Sequence, residues 1–378
     1  LWQDLMFSCA SYPDHEEDFR NECQKEIEYQ TKRLRRYSNL ALLCGNNEIT
    51  LHQSPLAQFH YDYSMDHRNT CGYHIFNNLA AEIAEKNCPH ISYWNSSPYG
   101  GPMPNCSEIG DQHYWWPVCQ KKGGNAMVEP TSYDRITSNF VSEYGCMGPL
   151  NKESMLAYDG GREPELNSPM FLHHTNSFEN GMISSGIEQN YRSMKGISLD
   201  DYILCGQMMQ SVLYQYSFEA MRYNDRCNGA LLWMYHDVWG ENGWSIVDYY
   251  IRRKASYYGV KRALAPARAI FRQESNEICL KLANDGPQPL LLQGSVGFLS
   301  YDGQRGEMKK TTFQAAPYSC EVVARWKTAD LPEDGTLFFL PDGGKAEMAY
   351  WYRAPFRELS LPQPQLIVSQ HVASDNTV

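Results

Sequence analysis

Two glutamates that follow apolar segments are the residues of this sequence best suited to acid–base chemistry. Glu48 follows the aliphatic run Leu40–Leu43 in "LALLCGNNE", and Glu143 follows a second apolar segment in "NFVSEYG". The carboxyl ends of parallel barrel strands meet at one face, where active sites gather. Two carboxylates facing one cavity suit glycoside hydrolysis, one as proton donor and the other as nucleophile or base. A strand followed by a polar turn explains either glutamate as well, so spacing alone leaves both interpretations open.

The composition excludes several classes of partner. Hydrophobic residues make up 42% and charged residues 20% of the 378-residue chain, which is typical of a globular protein. With 33 basic and 44 acidic residues the net charge is −11, and there is no basic stripe or phosphate-binding loop. We therefore expect no nucleic-acid partner. No apolar run is long enough to span a membrane, so no membrane partner is expected, and the oligomeric state stays unknown.

The twelve cysteines are scattered and form no Cys-x-x-Cys pair, so neither a zinc site nor a redox motif is predicted. Such cysteines usually behave as small buried hydrophobes, which favours a reducing compartment. The chain begins in a strand-like segment without an initiator methionine or signal peptide. We expect this start to be an internal break, which leaves the localisation unknown (cytoplasmic or periplasmic if the source is bacterial).

Up to Pro266, strands that alternate with helices predict a parallel α/β architecture. Asp14 and Glu17 have the spacing of a capping box at the start of the first helix, which runs to about Leu34. Further helices are predicted over 73–86, 198–224 and 250–264, and strands over 40–43, 90–94, 111–115, 139–145 and 229–235. These make six βα units, whereas a closed barrel needs eight. The alternatives are an open doubly wound sheet and a barrel whose first part is missing.

From Ala267 onward the pattern changes to apolar or alternating segments separated by turn signals such as Asn-Asp-Gly and Asp-Gly-Gly. This pattern predicts an all-β sandwich of about seven strands that ends near Leu361. Residues 362–378 are expected to begin a further β domain.

Five motifs occur together in the order of a known family: "LWQDLMFSCASYP", "LLCGNNE", "GDQHYWW", "FVSEYG" and "GALLWMYHDVW…WSIVDYYIRRKASYYGVKRALAP". Together they resemble glycoside hydrolase family 2, and within it the β-mannosidases most closely. The resemblance implies a catalytic (β/α)8 TIM barrel over residues 1–266, entered at its third strand, and an immunoglobulin-like β-sandwich over residues 267–361. A barrel that lacks two strands exposes an unpaired edge, so residues 1–378 alone are not expected to be a competent enzyme.

The resemblance also assigns roles by motif. Glu48 corresponds to the catalytic acid/base, Glu143 to the nucleophile, and Asn47 to a residue that hydrogen-bonds the sugar 2-hydroxyl. The further residues that it implies in substrate binding are Asp4, His113, Tyr114, Trp115, Trp233 and Asp237. The first five of these are interpreted equally well as packed or solvated barrel residues, and at Asp237 the match to the family pattern is incomplete, because His236 replaces an Asn. No metal or organic cofactor is implied.

The expected function is that of an exo-acting retaining β-glycosidase that hydrolyses β-linked mannosides by double displacement. For this, Glu48 should have a raised pKa and Glu143 should be ionised at the working pH. The alternatives are another family 2 specificity (β-galactosidase, β-glucuronidase or exo-β-glucosaminidase) and a non-catalytic carbohydrate-binding protein, which a fold alone does not exclude.

Overall fold

The computed structural model describes residues 1–52, 72–119, 121–122, 125–126, 128–178, 181–303, 305–344 and 346–363. The chain divides into two compact units. The first comprises Leu1–Ile187 and Met194–Leu264, and the second comprises Glu188–Ser193 and Ala265–Val378. Residues 364–378, and with them most of the predicted start of a further β domain, lie outside the described residues. Within the described ranges, no helix combines the length and the apolarity needed to cross a membrane.

Three short parallel strands lead to Glu48. They are β1 (Trp2–Asp4), β2 (Leu42–Cys44) and β3 (Ser92–Trp94), in the spatial order β1-β2-β3. The central strand has neighbours on both edges, and its Leu43 is completely buried. Burial on both faces explains why a continuous apolar run marks this strand in the sequence.

A second parallel pair leads to Glu143. It joins β4 (Gln112–His113) to β7 (Val141–Glu143). The strand predicted over 229–235 is not a regular strand, because its pairing is limited to a single parallel bridge between Ala230 and Val141. Its backbone carbonyl at Trp233 accepts a hydrogen bond from the Tyr214 hydroxyl (2.9 Å). The backbone N–H of Trp233 donates to the carbonyl of Tyr144 (2.7 Å).

The first long helix, α1 (Glu17–Leu34), is present as predicted, but its capping box is not. Its N-cap residue makes no side-chain hydrogen bond. The Asp14 carboxylate instead accepts a hydrogen bond from the backbone N–H of His74 (2.7 Å). The apolar face of α1 buries Cys23 and Ile27 against the segment that follows β1. Tertiary contact therefore replaces the local capping interaction.

The other predicted helices are present with adjusted limits. The helix predicted over 73–86 contains a π-helical turn, Ile75–Leu79, followed by an α-helix, Ala80–Asn87. The long helix Leu199–Tyr223 begins at Ser198 as predicted, and the Ser198 hydroxyl accepts a hydrogen bond from the N–H of Asp201 (3.1 Å). After α1, the α-helices in the described part of the first unit are, in chain order, α2 (Ile49–His52), α3 (Ala80–Asn87), α4 (Trp116–Cys119), α5 (Lys152–Tyr158), α6 (Pro169–His173), α7 (Met182–Asn190), α8 (Leu199–Tyr223) and α9 (Ala255–Ala263). The last residues of α7 belong to the second unit. A 3-10 helix spans Pro130–Arg135, and the strands β5 (Lys121–Lys122) and β6 (Asn125–Ala126) form a small hairpin.

In its described residues, the second unit is an antiparallel β-sandwich of seven strands. They are β8 (Ala267–Glu274), β9 (Glu277–Asn284), β10 (Leu290–Ser300), β11 (Arg305–Ala315), β12 (Ser319–Lys327), β13 (Gly335–Pro341) and β14 (Ala349–Tyr352). One sheet has the order β11-β10-β13-β14 and the other β12-β9-β8. Alternate residues of facing strands, among them Leu280, Leu282, Leu337 and Phe339, form the apolar core between the sheets.

We expect Leu280→Ala to destabilise the sandwich by about 2–5 kcal/mol, because Leu280 is fully buried in this core and its loss leaves a cavity. Leu291→Ala is the matched control, since Leu291 lies on β10 with its side chain about half exposed. That control should change the free energy of unfolding by less than about 0.5 kcal/mol. Calorimetric thermal unfolding of the two variants measures the difference, and equal shifts would contradict the assigned core.

Candidate active site

Glu48 lies in the turn that follows β2, between two neighbouring parallel segments. Its backbone N–H donates to the carbonyl of Ser97 (2.7 Å), and the N–H of Asn47 donates to the carbonyl of Phe7 (2.9 Å). The chain passes so close to β3 that a Cβ at Gly45 would lie 2.3 Å from the Tyr93 hydroxyl. Glu48 itself has φ +60°, a conformation that non-glycine residues adopt uncommonly. Its position is therefore set by long-range backbone contacts rather than by local preference.

Glu143 ends β7, and the register of the β4–β7 pair places it opposite His113. The indole Nε1–H of Trp115 donates to Glu143 Oε1 (3.1 Å). Two residues further on, a Cβ at Gly145 would lie 2.3 Å from the carbonyl oxygen of Trp233. Close packing of the chain thus requires a glycine directly after the glutamate segment.

His113 connects the two glutamates. Its Nδ1 lies 2.7 Å from Glu48 Oε1 and 3.7 Å from Glu143 Oε2. One carboxylate oxygen of each glutamate and a ring nitrogen of His113 all lie within 4.8 Å of one another. The three side chains are 2–16% exposed. The structure therefore brings together the two carboxylates that the sequence singled out, and it places a buried imidazole between them.

A hydrogen-bonded chain behind the imidazole holds it in this orientation. Ser97 Oγ lies 3.0 Å from His113 Nε2 and donates to Asp111 Oδ2 (2.8 Å). The other oxygen of Asp111 accepts from the indole of Trp94 (2.8 Å) and from the backbone N–H of Tyr99 (3.0 Å). The sequence analysis missed Ser97 and Asp111. Asp111 stands two residues before His113 in "GDQHYWW", which was a usable signal, whereas nothing in the sequence points to Ser97.

Two more side chains contact the other oxygen of Glu48. His52 Nε2 lies 2.9 Å from Glu48 Oε2, and Cys9 Sγ lies 3.6 Å from the same atom. The sequence analysis missed both residues. His52 follows Glu48 by four positions, the spacing of one helix face, and this could have been recognised. Cys9 comes from the segment after β1, so only the fold brings it here.

The charges around Glu48 contradict the predicted pKa order. Burial by itself raises the pKa of Glu48, but the hydrogen bonds and positive charges of His113 and His52 outweigh it and lower the pKa to about 2. Hydrogen bonds to Cys9 and Glu48 raise the pKa of His52 to about 9. Burial favours neutral His113, yet the Glu48 hydrogen bond and the negative charges of both glutamates raise its pKa. Glu48 is therefore ionised between two imidazolium groups.

The pKa of Glu143 is raised, whereas that of Glu48 is lowered. Burial raises the pKa of Glu143 to about 7, with the positive charge of His113 opposing and the negative charge of Glu48 adding to this effect. The expectation of a raised pKa at Glu48 is thus wrong, because the raised pKa belongs to Glu143, which is ionised near and above neutral pH. The physical reason is that Glu48 has two cationic hydrogen-bond partners, whereas Glu143 has one neutral indole donor.

Three of the other predicted substrate-binding residues lie on elements that end near the glutamates. Asp4 ends β1, where it accepts a hydrogen bond from the indole of Trp2 (2.7 Å). The Asn47 amide points to Cys9 Sγ (3.6 Å). Trp233 is 43% exposed, so its ring face is accessible for stacking. Their roles toward a sugar stay predictions.

Tyr114 and Asp237 contact protein residues other than the two glutamates. The Tyr114 hydroxyl donates to the carbonyl of Ser132 (3.4 Å), and its ring lies 6.1 Å from that of Tyr133. Asp237 is completely buried, and it accepts a hydrogen bond from the Ser245 hydroxyl (2.5 Å). Burial raises the pKa of Asp237 to about 6. These contacts describe packed residues, and a substrate-binding role for either one stays a prediction.

Two sets of side chains in the described part of the chain have the types and proximity needed to hold a metal ion. One consists of Cys9, Glu48 and His52, and the other of Glu48, His113 and Glu143. Both sets use Glu48, so the same carboxylate could serve acid–base chemistry or metal coordination.

The chain was compared with known proteins. No family model matches it. It is 29% identical over 290 residues to β-mannosidase B of Thermothelomyces thermophilus, covering 70% of this chain and 32% of that protein. The crystal structure of a β-D-mannosidase from Dictyoglomus thermophilum superposes with a TM-score of 0.83 at 26% identity, covering 96% of this chain and 44% of the other.

The chain is thus similar to proteins named β-mannosidase, both in sequence and in fold. The predicted resemblance to β-mannosidases is thereby confirmed, as is the combination of an α/β unit with a β-sandwich. An exo-chitosanase of Amycolatopsis orientalis shares the fold at a TM-score of 0.61 and 13% identity, over 90% of this chain and 39% of its own. The chain spans about a third of the length of the curated relatives that it matches.

We expect the side-chain carboxyl carbon of Glu48 to titrate near pH 2 and that of Glu143 near pH 7 in carbon NMR spectra of the labelled chain. His113→Gln should raise both pKa values, because it removes a positive charge that favours both ionised forms. His90→Gln is the matched control, since His90 is exposed, and it should change neither value. A Glu48 pKa above that of Glu143 in the unsubstituted chain would contradict the charge assignment.

Proposed function

We propose that this chain carries the catalytic residues of a retaining exo-β-glycosidase that removes terminal, non-reducing β-D-mannose residues. The observation that supports it most is the spacing of Glu48 and Glu143, which have oxygens within 4.8 Å of each other in a nearly buried site. Carboxyl groups about 5–5.5 Å apart are typical of retaining enzymes, whereas inverting enzymes separate them by about 6.5–9.5 Å to admit a water molecule. The spacing therefore favours double displacement.

In the proposed reaction Glu143 attacks the anomeric carbon, and the glycosidic bond breaks as Glu48 donates a proton to the leaving oxygen. Glu48 then takes a proton from water, which hydrolyses the glycosyl-enzyme and releases Glu143. The Trp115 indole, hydrogen-bonded to Glu143 Oε1, orients the nucleophile. Asn47 directly precedes Glu48 and is proposed to contact the sugar 2-hydroxyl.

The ionisation of the unliganded site requires one proton transfer before this sequence can begin. Glu48 is ionised, but the protonated rings of His113 and His52 lie 2.7 and 2.9 Å from its two oxygens. Either ring can supply the proton that makes Glu48 an acid, without any water entering the site. Glu143 must be ionised, which its pKa of about 7 allows near and above neutral pH.

The finer architecture belongs to the same proposal. Residues 1–266 are proposed to be part of a (β/α)8 barrel, from its third to its eighth strand. In support, Glu48 and Glu143 follow parallel strands, as active-site residues of such barrels do. Residues 267–361 are proposed to be an immunoglobulin-like sandwich, and residues 362–378 the start of a further β domain.

The preference for β-mannosides rests on the printed names of the relatives. The sequence relatives are named β-mannosidase B, and the solved structure with a TM-score of 0.83 is a β-D-mannosidase. Another family 2 specificity would use the same two carboxylates, because the chemistry at the anomeric carbon is shared. A non-catalytic carbohydrate-binding protein has no need for two carboxylates held this close.

Azide rescue tests the two roles in the intact protein that contains this chain. We expect Glu143→Ala to lower kcat by at least about 10⁴-fold, and azide to restore turnover with the α-glycosyl azide as product. Glu48→Ala should retain activity on substrates with good leaving groups, with azide giving the β-glycosyl azide. Glu16→Ala is the control, since Glu16 is exposed, and it should behave like the unsubstituted protein.

The opposite stereochemistry for the two variants would exchange the roles of Glu48 and Glu143. One observation favours that exchange: in the unliganded site Glu143 is the carboxyl group that keeps its proton up to about pH 7. The identity of the azide products separates the two assignments, because each variant gives only one anomer under either of them.

A panel of p-nitrophenyl glycosides tests the substrate. We expect the β-mannoside to be cleaved with the highest kcat/KM, and the β-galactoside, β-glucuronide and β-glucosaminide at least about tenfold less efficiently, which corresponds to about 1.4 kcal/mol of transition-state binding. A clear preference for one of the other three glycosides would contradict the mannosidase assignment and leave the mechanism intact. No cleavage of any of them by the intact protein would contradict the proposed function itself.

A further inference from the structure

The thiol, imidazole and carboxylate of Cys9, His52 and Glu48 meet at one point beside the catalytic pair. We propose that they form a binding site for a zinc-type transition-metal ion, and that an ion bound there blocks Glu48. The proposal goes beyond the glycosidase function. Binding of the ion does not depend on that function, whereas its effect on turnover does.

The distance between Cys9 Sγ and Glu48 Oε2 matches an edge of a tetrahedral zinc site, and the distance between His52 Nε2 and Glu48 Oε2 is a few tenths of an ångström shorter than such an edge. With Zn–S near 2.3 Å and Zn–N and Zn–O near 2.0–2.1 Å, neighbouring ligand atoms are about 3.3–3.6 Å apart. Cys9 Sγ lies 3.6 Å and His52 Nε2 lies 2.9 Å from Glu48 Oε2, and the donor atoms of all three residues lie within 4.8 Å of one another. Small side-chain movements are therefore sufficient to admit an ion.

Neighbouring side chains contact two of the three proposed ligands, Glu48 and Cys9. His113 Nδ1 lies 2.7 Å from Glu48 Oε1, and the other oxygen, Oε2, faces Cys9 and His52. The Asn47 amide is positioned to donate to Cys9 Sγ (3.6 Å). Outer-shell hydrogen bonds of this kind orient the ligands of metal sites in general.

The three proposed ligands differ in their exposure to solvent. Cys9 is exposed, whereas the side chains of His52 and Glu48 are 15% and 16% exposed. An ion can thus enter from the Cys9 side and keep a water molecule in its fourth position, as three-ligand zinc sites do. A thiolate and a carboxylate together also neutralise a divalent charge.

The donor set indicates which ions bind. A thiolate with an imidazole selects Zn²⁺, Co²⁺ or Cd²⁺ over Mg²⁺ and Ca²⁺, which prefer oxygen ligands. The second set, Glu48 with His113 and Glu143, lacks a thiol, and His113 Nδ1 is almost completely buried there. The thiol therefore distinguishes the two sets experimentally.

An ion at this site would prevent the proposed acid–base chemistry. A lone pair of Glu48 Oε2 bound to a metal ion cannot take up or release a proton. The proposal thus predicts reversible inhibition of the glycosidase by zinc-type ions, relieved by a chelator. This consequence rests on the proposed function and is measured separately from binding.

The test uses the intact protein that contains this chain, and two probes. Zn²⁺ is titrated calorimetrically, and Co²⁺ is followed by the near-ultraviolet charge-transfer band that a cobalt–thiolate bond produces. We expect one ion per chain. Cys9→Ser and His52→Gln should each weaken Zn²⁺ binding by about tenfold or more, since losing even an outer-shell partner of a metal ligand costs about 10–100-fold. Cys9→Ser should also abolish the cobalt–thiolate band.

Two matched variants serve as controls. Cys320→Ser removes a partly exposed cysteine of the β-sandwich, and His90→Gln removes an exposed histidine of the first unit. Both should bind Zn²⁺ like the unsubstituted chain, and circular dichroism should show that all four variants keep their fold. Absence of Zn²⁺ binding by the unsubstituted chain would overturn the proposal. So would binding without a cobalt–thiolate band, or binding that Cys9→Ser and His52→Gln leave unchanged.

Discussion

The contact of His113 with the two glutamates is the interaction on which the candidate site depends. A single ring nitrogen lies 2.7 Å from one carboxylate and 3.7 Å from the other, in a place where water hardly reaches. The β4–β7 register sets one of these distances, because it aligns His113 with Glu143. The hydrogen-bonded chain through Ser97 and Asp111 sets the ring orientation. Without the imidazole, two buried carboxylates this close could not both ionise.

Holding this cluster together has an energetic cost that the rest of the unit must offset. Taking several charged groups out of water is expensive unless each of them is paired and hydrogen-bonded. Here Glu48 has two imidazole partners, and Asp111 accepts from an indole, a hydroxyl and a backbone N–H. The φ of +60° at Glu48 adds backbone strain, which is typical of functional positions. Backbone hydrogen bonds from Asn47 to Phe7 and from Glu48 to Ser97 keep the turn in this conformation.

The candidate site residues and the β-sandwich belong to different units. Every candidate site residue lies in the first unit, and the second is a β-sandwich with its own apolar core. The exo-chitosanase at 13% identity shares the fold and nothing more can be concluded from it, because one fold hosts many activities. What separates such proteins is the set of side chains at the strand ends. In this chain Cys9 and His52 also contact Glu48, and they give it a thiol and an imidazole as neighbours.

The sequence by itself determined the succession of α/β and β-sandwich units, the position of α8 and the strand-end glutamates. Periodicity, caps and turns are local properties, so they can be read from neighbouring residues. Tertiary structure alone decided the partners of Glu48, because Cys9, Ser97 and His113 come from distant segments. It therefore also decided which carboxyl keeps its proton. A pKa depends on burial and on the charges within a few ångströms, and neither is encoded in the spacing of residues along the chain.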